Sequence, residues 1–422
     1  MNSKIFSVTG REILDSRGNP TVEVMVILES GWRGVASVPS GASVGSFEAQ
    51  ELRDNDPARY EGMGVLKAVS NVNTIIGNAL RGMDALDQDG VDQRLVILDG
   101  TKNKSQLGVN AILGVSHAVA VAASNYAQKP LYRYLNELFS RKISTPLEKI
   151  PTPMFNIING GKHGAGNLNF QEFLVIPATN RVFHEALEMG VLIYSATRKM
   201  LQFRNAIHSI GDEGGFAPNL FTNMDAFEIL IEAIKSAKLR IGVDVYLGLD
   251  VAANSFNSSQ GYQIKDRPTV FSRDEFISYL MDLHNKYHLL VLEDALEDED
   301  WEGWIALTDK IGKDVLIVGD DFLATNKERL ERAIRNRACS GILAKPNQIG
   351  TLSEYFDVTA IARKNNIRVI ASHRSGETTD TFIADLAVAI QSDYVKFGAP
   401  ARGERVVKYN RLLAIESELK PK

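Results

Sequence analysis

The feature that most restricts this chain is a series of six short, mostly apolar runs, each closed by a charged residue or a histidine. They are Tyr246-Leu-Gly-Leu-Asp250, Leu289-Leu-Val-Leu-Glu293, Val315-Leu-Ile-Val-Gly-Asp320, Gly341-Ile-Leu-Ala-Lys345, Val369-Ile-Ala-Ser-His373 and Asp393-Tyr-Val-Lys396. From Asp250 onward the closing residues lie 43, 27, 25, 28 and 23 positions apart, close to the length of one strand plus one helix. Repeated strand–helix units that close on themselves make a (β/α)8-type barrel, whose chemistry sits at the carboxyl ends of its strands. One strand with a polar tip would mean no more than a solvated loop. Six in succession ending Asp, Glu, Asp, Lys, His and Lys mean more, because solvated ends favour Gly, Asn or Ser.

The amino-terminal third has a different character. Residues 5–8 and 21–28 read as strands, separated by the turn-rich Asp15-Ser16-Arg17-Gly18-Asn19-Pro20. Residues 38–46, a stretch of small residues, follow neither the helical nor the strand period and read as a mobile loop. Helical patterns follow at 64–80, at 86–95 and in the alanine-rich stretch 108–127. These patterns predict an α+β domain over residues 1–140, a three-stranded sheet followed by helices, capping a barrel over residues 141–422.

Composition narrows the function. Lys and Arg number 47 against 52 Asp and Glu, a net charge of −5, which argues against a nucleic-acid binder held by bulk charge. A single cysteine, Cys339, excludes a disulfide framework and multi-cysteine zinc sites. No apolar run approaches the roughly 20 residues of a membrane span. The first 15 residues are too polar for a secretory leader, so a cytoplasmic location is expected. Phosphate-loop and zinc-protease motifs are absent from the sequence.

Asp250, Glu293 and Asp320 place three carboxylates at one barrel mouth. Their natural neutraliser is a hard divalent cation, most simply Mg²⁺, although lysines pairing with them as a salt-bridge network is the alternative. Lys345, one strand beyond Asp320, suits a base whose pKa neighbouring cations lower. In Gly211-Asp212-Glu213-Gly214-Gly215 the glycines let the backbone bring Glu213 close to a ligand. Gln171-Glu172 supplies a second carboxylate; of two neighbouring carboxylates one tends to keep its proton and act as an acid. Ser372-His373-Arg374-Ser375-Gly376 has the composition of an oxyanion clamp, with a planar fork, a hydroxyl and backbone N–H groups.

Longer motifs carry a resemblance. Asp15-Ser-Arg-Gly-Asn-Pro-Thr-Val-Glu-Val24, Ser40-Gly-Ala-Ser43, Asn156-Ile-Ile-Asn-Gly-Gly161, Gly211-Asp-Glu-Gly-Gly-Phe-Ala-Pro218, Asn347-Gln-Ile-Gly-Thr351 and Ser372-His-Arg-Ser-Gly-Glu-Thr378 occur in this order, and the chain from about residue 5 to 418 resembles the enolase family. The resemblance implies an enolase-superfamily, TIM-like barrel and the reversible dehydration of 2-phosphoglycerate to phosphoenolpyruvate through an ene-diolate. It implies Lys345 as the base that takes the α-proton and Glu213 as the acid at the 3-hydroxyl, with Glu172 and His373 among the catalytic groups. It further implies Asp250, Glu293 and Asp320 as ligands of a first Mg²⁺, and a loop carrying Ser43 that closes over substrate and helps to bring in a second. Arg374 and Ser375 would take the phosphate, Lys396 and Lys345 the carboxylate, with Gln171 and His163 lining the cavity. Two Mg²⁺ come closest to balancing three ligand carboxylates, Arg374, Lys396 and a phosphorylated carboxylate substrate.

Some positions depart from the family pattern: Val44, Lys162, Asn254-Ser255, Phe397 and Gly403. Val44 and Phe397 are expected near the substrate. These departures motivate an alternative, a divergent paralogue acting on a related phospho- or phosphono-carboxylate. Family resemblance also implies a homodimer, in some members an octameric ring of dimers. Terminal lysines such as Lys420 and Lys422 are attributed in the family to plasminogen binding, the basis of a surface-scaffold alternative.

Overall fold

Alternating burial defines the first sheet. Strand β2 (Pro20–Leu28) buries Val22, Val24, Val26 and Leu28 on one face and leaves the residues between them half-buried. It pairs antiparallel with β1 (Ile5–Leu14) on one side and β3 (Arg33–Ser37) on the other. The computed structural model describes residues 2–41, 47–164 and 168–419. Residues 42–46, with Ser43 and Val44, residues 420–422 and the side chain of His163 lie outside what it describes. Strand β1 runs well beyond its expected end at residue 8, because β2 offers a pairing partner as far as Leu14↔Pro20. Asp15 then closes the turn by accepting backbone N–H bonds from Arg17 (2.8 Å) and Asn19 (2.9 Å).

The alanine-rich stretch forms the helix Val109–Tyr126, buried on nearly every face because the sheet covers one side and the barrel the other. Its small residues allow close approach. A Cβ on Gly34 of β3 would stand 2.3 Å from the carbonyl oxygen of Ala118 and the amide nitrogen of Ala122, so only glycine fits there.

The barrel is built from β4 (Thr152–Pro153), β5 (Phe155–Asn159), β6 (Glu172–Pro177), β7 (Val245–Asp250), β8 (Leu289–Glu293), β9 (Leu316–Gly319), β10 (Gly341–Ala344), β11 (Arg368–Ser372) and β12 (Tyr394–Lys396). Strands β4 and β5 are one continuous stave interrupted at Met154. It pairs with β12 at one edge and with β6 at the other, which closes the ring. Met154, Leu174, Ile176, Val291, Val318, Leu343 and Ile370 fill the lumen.

One stave departs from the all-parallel expectation: β6 runs antiparallel to both its neighbours, β5 and β7. Its amino end therefore lies at the mouth where the other staves have their carboxyl ends. Having descended through β6, the chain must climb and descend again before β7 can ascend. Two helices, Phe183–Phe203 and Asn223–Ser236, do this. The loop between them returns to the mouth carrying residues 211–215, and this explains why no single strand–helix interval precedes Asp250. Among the described residues, no helix is long and apolar enough to cross a membrane.

The sheet domain is tied to the barrel by polar contacts. Ser40 and Gly376 exchange backbone bonds of 2.7 and 2.9 Å, and Lys104 meets Glu354 at 2.8 Å. Asp92, on the helix Gln88–Asp99, accepts from the amide (2.9 Å) and hydroxyl (2.7 Å) of Ser353 in the barrel. Burial pushes the Asp92 carboxyl up to about 6, from an ordinary value of 3.8. Between those two values the folded chain holds a proton that the unfolded chain has released, so stability falls as pH rises across the interval. Asp92→Asn, neutral throughout, is expected to flatten that part of the curve, measured by urea unfolding at pH 4, 5, 6 and 7. An unchanged slope would assign the pH dependence to other groups.

Candidate active site

Strand alternation places the chemistry. Side chains two positions apart share a face, so the residues that continue the lumen series are Glu172 before Leu174, Glu293 after Val291, Asp320 after Val318, Lys345 after Leu343 and Ser372 after Ile370. By the same parity Asp250 follows Tyr246 and Lys396 follows Tyr394, both of which pack against the lumen cluster. Register aligns the acids side by side, with Glu172 opposite Asp250 and Asp250 opposite Glu293.

These acids share one cation. The Lys396 ammonium lies 2.7 and 2.9 Å from the two oxygens of Glu293, 3.1 Å from Asp250 and 3.0 Å from Glu172. Gln171 donates to the same Asp250 oxygen at 3.2 Å. Burial, then the neighbouring Asp250, hold the Glu293 carboxyl well above its usual range, while its carboxylate neighbours hold Lys396 well above the usual lysine value against the opposing effect of burial. Asp320 pairs instead with Lys345 at 2.5 Å. Sequence reasoning expected neighbouring cations to lower the Lys345 pKa, but here it stands raised. Burial lowers it most, yet attraction to Asp320 and Asp321 outweighs burial and the repulsion of Arg374. Thr325 fixes the lysine's backbone by accepting its amide at 2.9 Å.

Glu213 is built from a different side. Ser375 donates to its Oε1 at 2.9 Å, and His373 Nε2 lies 3.1 Å from its Oε2. Glu172 and Glu213 thus have separate partners, Lys396 for one and His373 with Ser375 for the other, rather than simply facing each other as two uncompensated carboxylates. Arg374 is held by Glu48 and Asn347, both at 2.8 Å. Backbone strain gathers at the same mouth: Ala252 (φ 47°) lies two residues past β7 and Asp294 (φ 41°) directly after β8, and Ala324 (φ 48°) and Thr325 (φ 50°) follow the tip of β9.

A cavity of about 400 Å³ joins these groups, lined by Gln171, Glu172, Glu213, Asp250, Asp320, Lys345, His373, Arg374, Ser375 and Lys396 among others. Of the expected site residues, Glu293 lies behind this lining, held by Lys396. The departures Lys162, Asn254 and Ser255 line the cavity. Phe397, expected near the substrate, does not: it is fully buried against Tyr409, because it points away from the face that carries Lys396.

Sequence reasoning missed several acids. Asp294 accepts backbone bonds from Asp320 and Asp321, each at 2.8 Å, and its carboxylate clusters with theirs within 4.8 Å. No motif marked it; its only sequence signal is adjacency to Glu293. Glu48 was hidden beyond the loop, and nothing local links it to Arg374. Among the described lining residues eight carboxyl side chains face five cationic ones. A buried all-oxygen set with that imbalance suits a hard divalent cation; among the described residues the carboxylates of Asp294, Asp320 and Asp321 lie close enough together to hold one, while Asp250 and Glu293 are taken up by Lys396.

Residues 5–135 match the family model described as "Enolase, N-terminal domain", and residues 148–422 match the one described as "Enolase, C-terminal TIM barrel domain".

Removing Lys396 would strip Glu172, Asp250 and Glu293 of their shared ammonium. Lys396→Ala is expected to lose about 3–5 kcal/mol of unfolding free energy at neutral pH, read from urea titrations in EDTA. A raised carboxyl destabilises the fold as pH rises and binds a proton as pH falls. The deficit is therefore expected to shrink toward pH 4.5, the ordinary value for Glu293. A deficit that stays constant with pH would show that lost packing, not uncompensated charge, is its source.

Proposed function

The chain belongs to the enolase family, and on that footing we propose that it catalyses the reversible, Mg²⁺-dependent dehydration of 2-phosphoglycerate to phosphoenolpyruvate. The observation that carries the reading is the cavity itself: Lys345 and a carboxyl with its own donor set, Glu213, line the same space as an excess of carboxylates. Lys345 takes the proton from the carbon beside the substrate carboxylate. The released electron pair is first held on the carboxylate as the ene-diolate; it then returns to form the carbon–carbon double bond as the 3-hydroxyl leaves with a proton from Glu213, so water is lost and the phosphate is retained. Arg374 and Ser375 are suited to the phosphate, and Lys396 with Gln171 to the carboxylate end. Asp250, Glu293 and Asp320 would hold Mg²⁺, which when bound supplies positive charge where the ene-diolate gathers negative charge. A second Mg²⁺, with Ser43 among its ligands, completes the proposal; Ser43 and the His163 side chain lie outside the described residues.

The base role requires a neutral Lys345. Burial favours that state, and the attraction of Asp320 and Asp321 opposes it. Exposed apolar residues on the amino-terminal sheet, Phe6, Leu14 and Val35, favour a homodimer joined there, which light scattering of the purified chain would test.

Lys162, Asn254 and Ser255 in the cavity wall favour a second reading, elimination on a related phospho- or phosphono-carboxylate. Following phosphoenolpyruvate absorbance with purified protein, with and without EDTA, separates the two: rapid metal-dependent turnover of 2-phosphoglycerate discards the second.

Each proton transfer is expected to contribute about 10²–10⁴-fold to rate. Glu213→Gln is expected to lose dehydration by that factor yet still exchange the α-proton with deuterated solvent, while Lys345→Ala loses both, as NMR would record. Exchange that persists in Lys345→Ala would remove Lys345 from the base role.

A further inference from the structure

The helix Gly403–Leu419 sends one side chain under the cavity floor: Arg405, wholly inaccessible to solvent. Its Nη1 lies 2.7 Å from His373 Nδ1 and donates to the Arg374 carbonyl at 2.7 Å. Its Nη2 donates to the carbonyls of Asp212 (3.1 Å) and Ser375 (2.6 Å). One planar fork thus ties together the segments that carry Glu213, His373 and Ser375, and its contacts leave it no room to swing.

A guanidinium has donors only and is not deprotonated in proteins. The His373 nitrogen facing it at 2.7 Å must therefore accept. The imidazole's one proton is then on Nε2, which lies 3.1 Å from Glu213 Oε2. We infer that Arg405 is a positioning residue: it locks His373 as the neutral Nε2–H tautomer, so that His373 meets Glu213 only as a hydrogen-bond donor. With Ser375 donating to Oε1, each oxygen of Glu213 then has a protonated group within 3.1 Å.

The packing is built for this. Gly398, at φ +83°, presses backbone onto all three partners. A Cβ there would stand 2.6 Å from the Glu213 carbonyl, 2.9 Å from the His373 ring and 3.3 Å from Arg405. The charged groups facing His373 are Glu213 and Arg405, with Glu377 beyond them, itself paired with Lys408 at 2.8 Å. Burial lowers His373 to about 4, with Arg405 acting in the same direction and Glu213 opposing both. Without the guanidinium, Nδ1 is free to take a second proton. The resulting imidazolium would favour ionised Glu213 and strip the acid of its proton.

The activity arm of the test rests on the reading of Glu213 as acid; the spectroscopic arm does not. In the full chain labelled with ¹⁵N-histidine, with His373→Gln used to assign the signal, long-range ¹H–¹⁵N spectra are expected to show His373 as Nε2–H, unchanged from pH 5.5 to 9. An Nδ1–H pattern, or titration within that range, would overturn the inference even if no variant folds. In Arg405→Met the signal is expected to titrate, and kcat to fall about tenfold per pH unit below the new His373 pKa. Arg405→Lys, which restores a cationic donor, is expected to return part of the flat profile. A folded Arg405→Met whose spectrum and pH profile superimpose on the parent would also overturn it. Absence of any dehydratase activity, with the tautomer spectrum as expected, would instead count against the proposed reaction alone.

Discussion

Three carboxylates around one ammonium set the terms for the rest of the molecule. Glu172, Asp250 and Glu293 are almost fully buried, and all lie within 3.1 Å of Lys396 Nζ. Charges so placed are costly unless they are compensated and held in good geometry. The closed ring of staves supplies the rigidity for that geometry, and the largely apolar lumen lies beneath it. The same arrangement leaves the mouth short of positive charge, which makes it receptive to a divalent cation and, through that cation, to an anionic substrate.

The two proton-handling groups are maintained by different means. Lys345 sits on a strand tip and is governed by its partner Asp320. Glu213 sits on a loop and depends on Ser375 and His373 from one other segment, itself held by Arg405 from a further one. A strand tip inherits its position from the sheet register. A loop residue has to be fixed by side-chain contacts, and here these come from residues 160 and 162 positions further along the chain.

The antiparallel β6 is the topological reason that such a loop exists at the mouth. Reversing one stave brings Glu172 to the catalytic end from the start of its strand. It also requires two successive helices before β7, and the turn between them delivers Glu213. A barrel of eight parallel staves would present neither residue in this way.

The barrel and most of its polar tips were legible in sequence, because alternation along a strand is a local property. Once Leu343 or Val291 faces the lumen, Lys345 or Glu293 must face it too. The pairings were not legible: Lys396 with three acids, Lys345 with Asp320, Arg374 with Glu48, and Arg405 with His373 each join segments far apart in the chain. Nor was the direction of the Lys345 shift, which depends on the balance between one carboxylate at contact distance and the cations nearby. The sequence by itself determined which strand-tip residues stand at the mouth, since the period of the backbone decides that. Only the tertiary structure decided which charges neutralise which, since Coulomb energy and hydrogen-bond direction depend on distances that no local pattern contains.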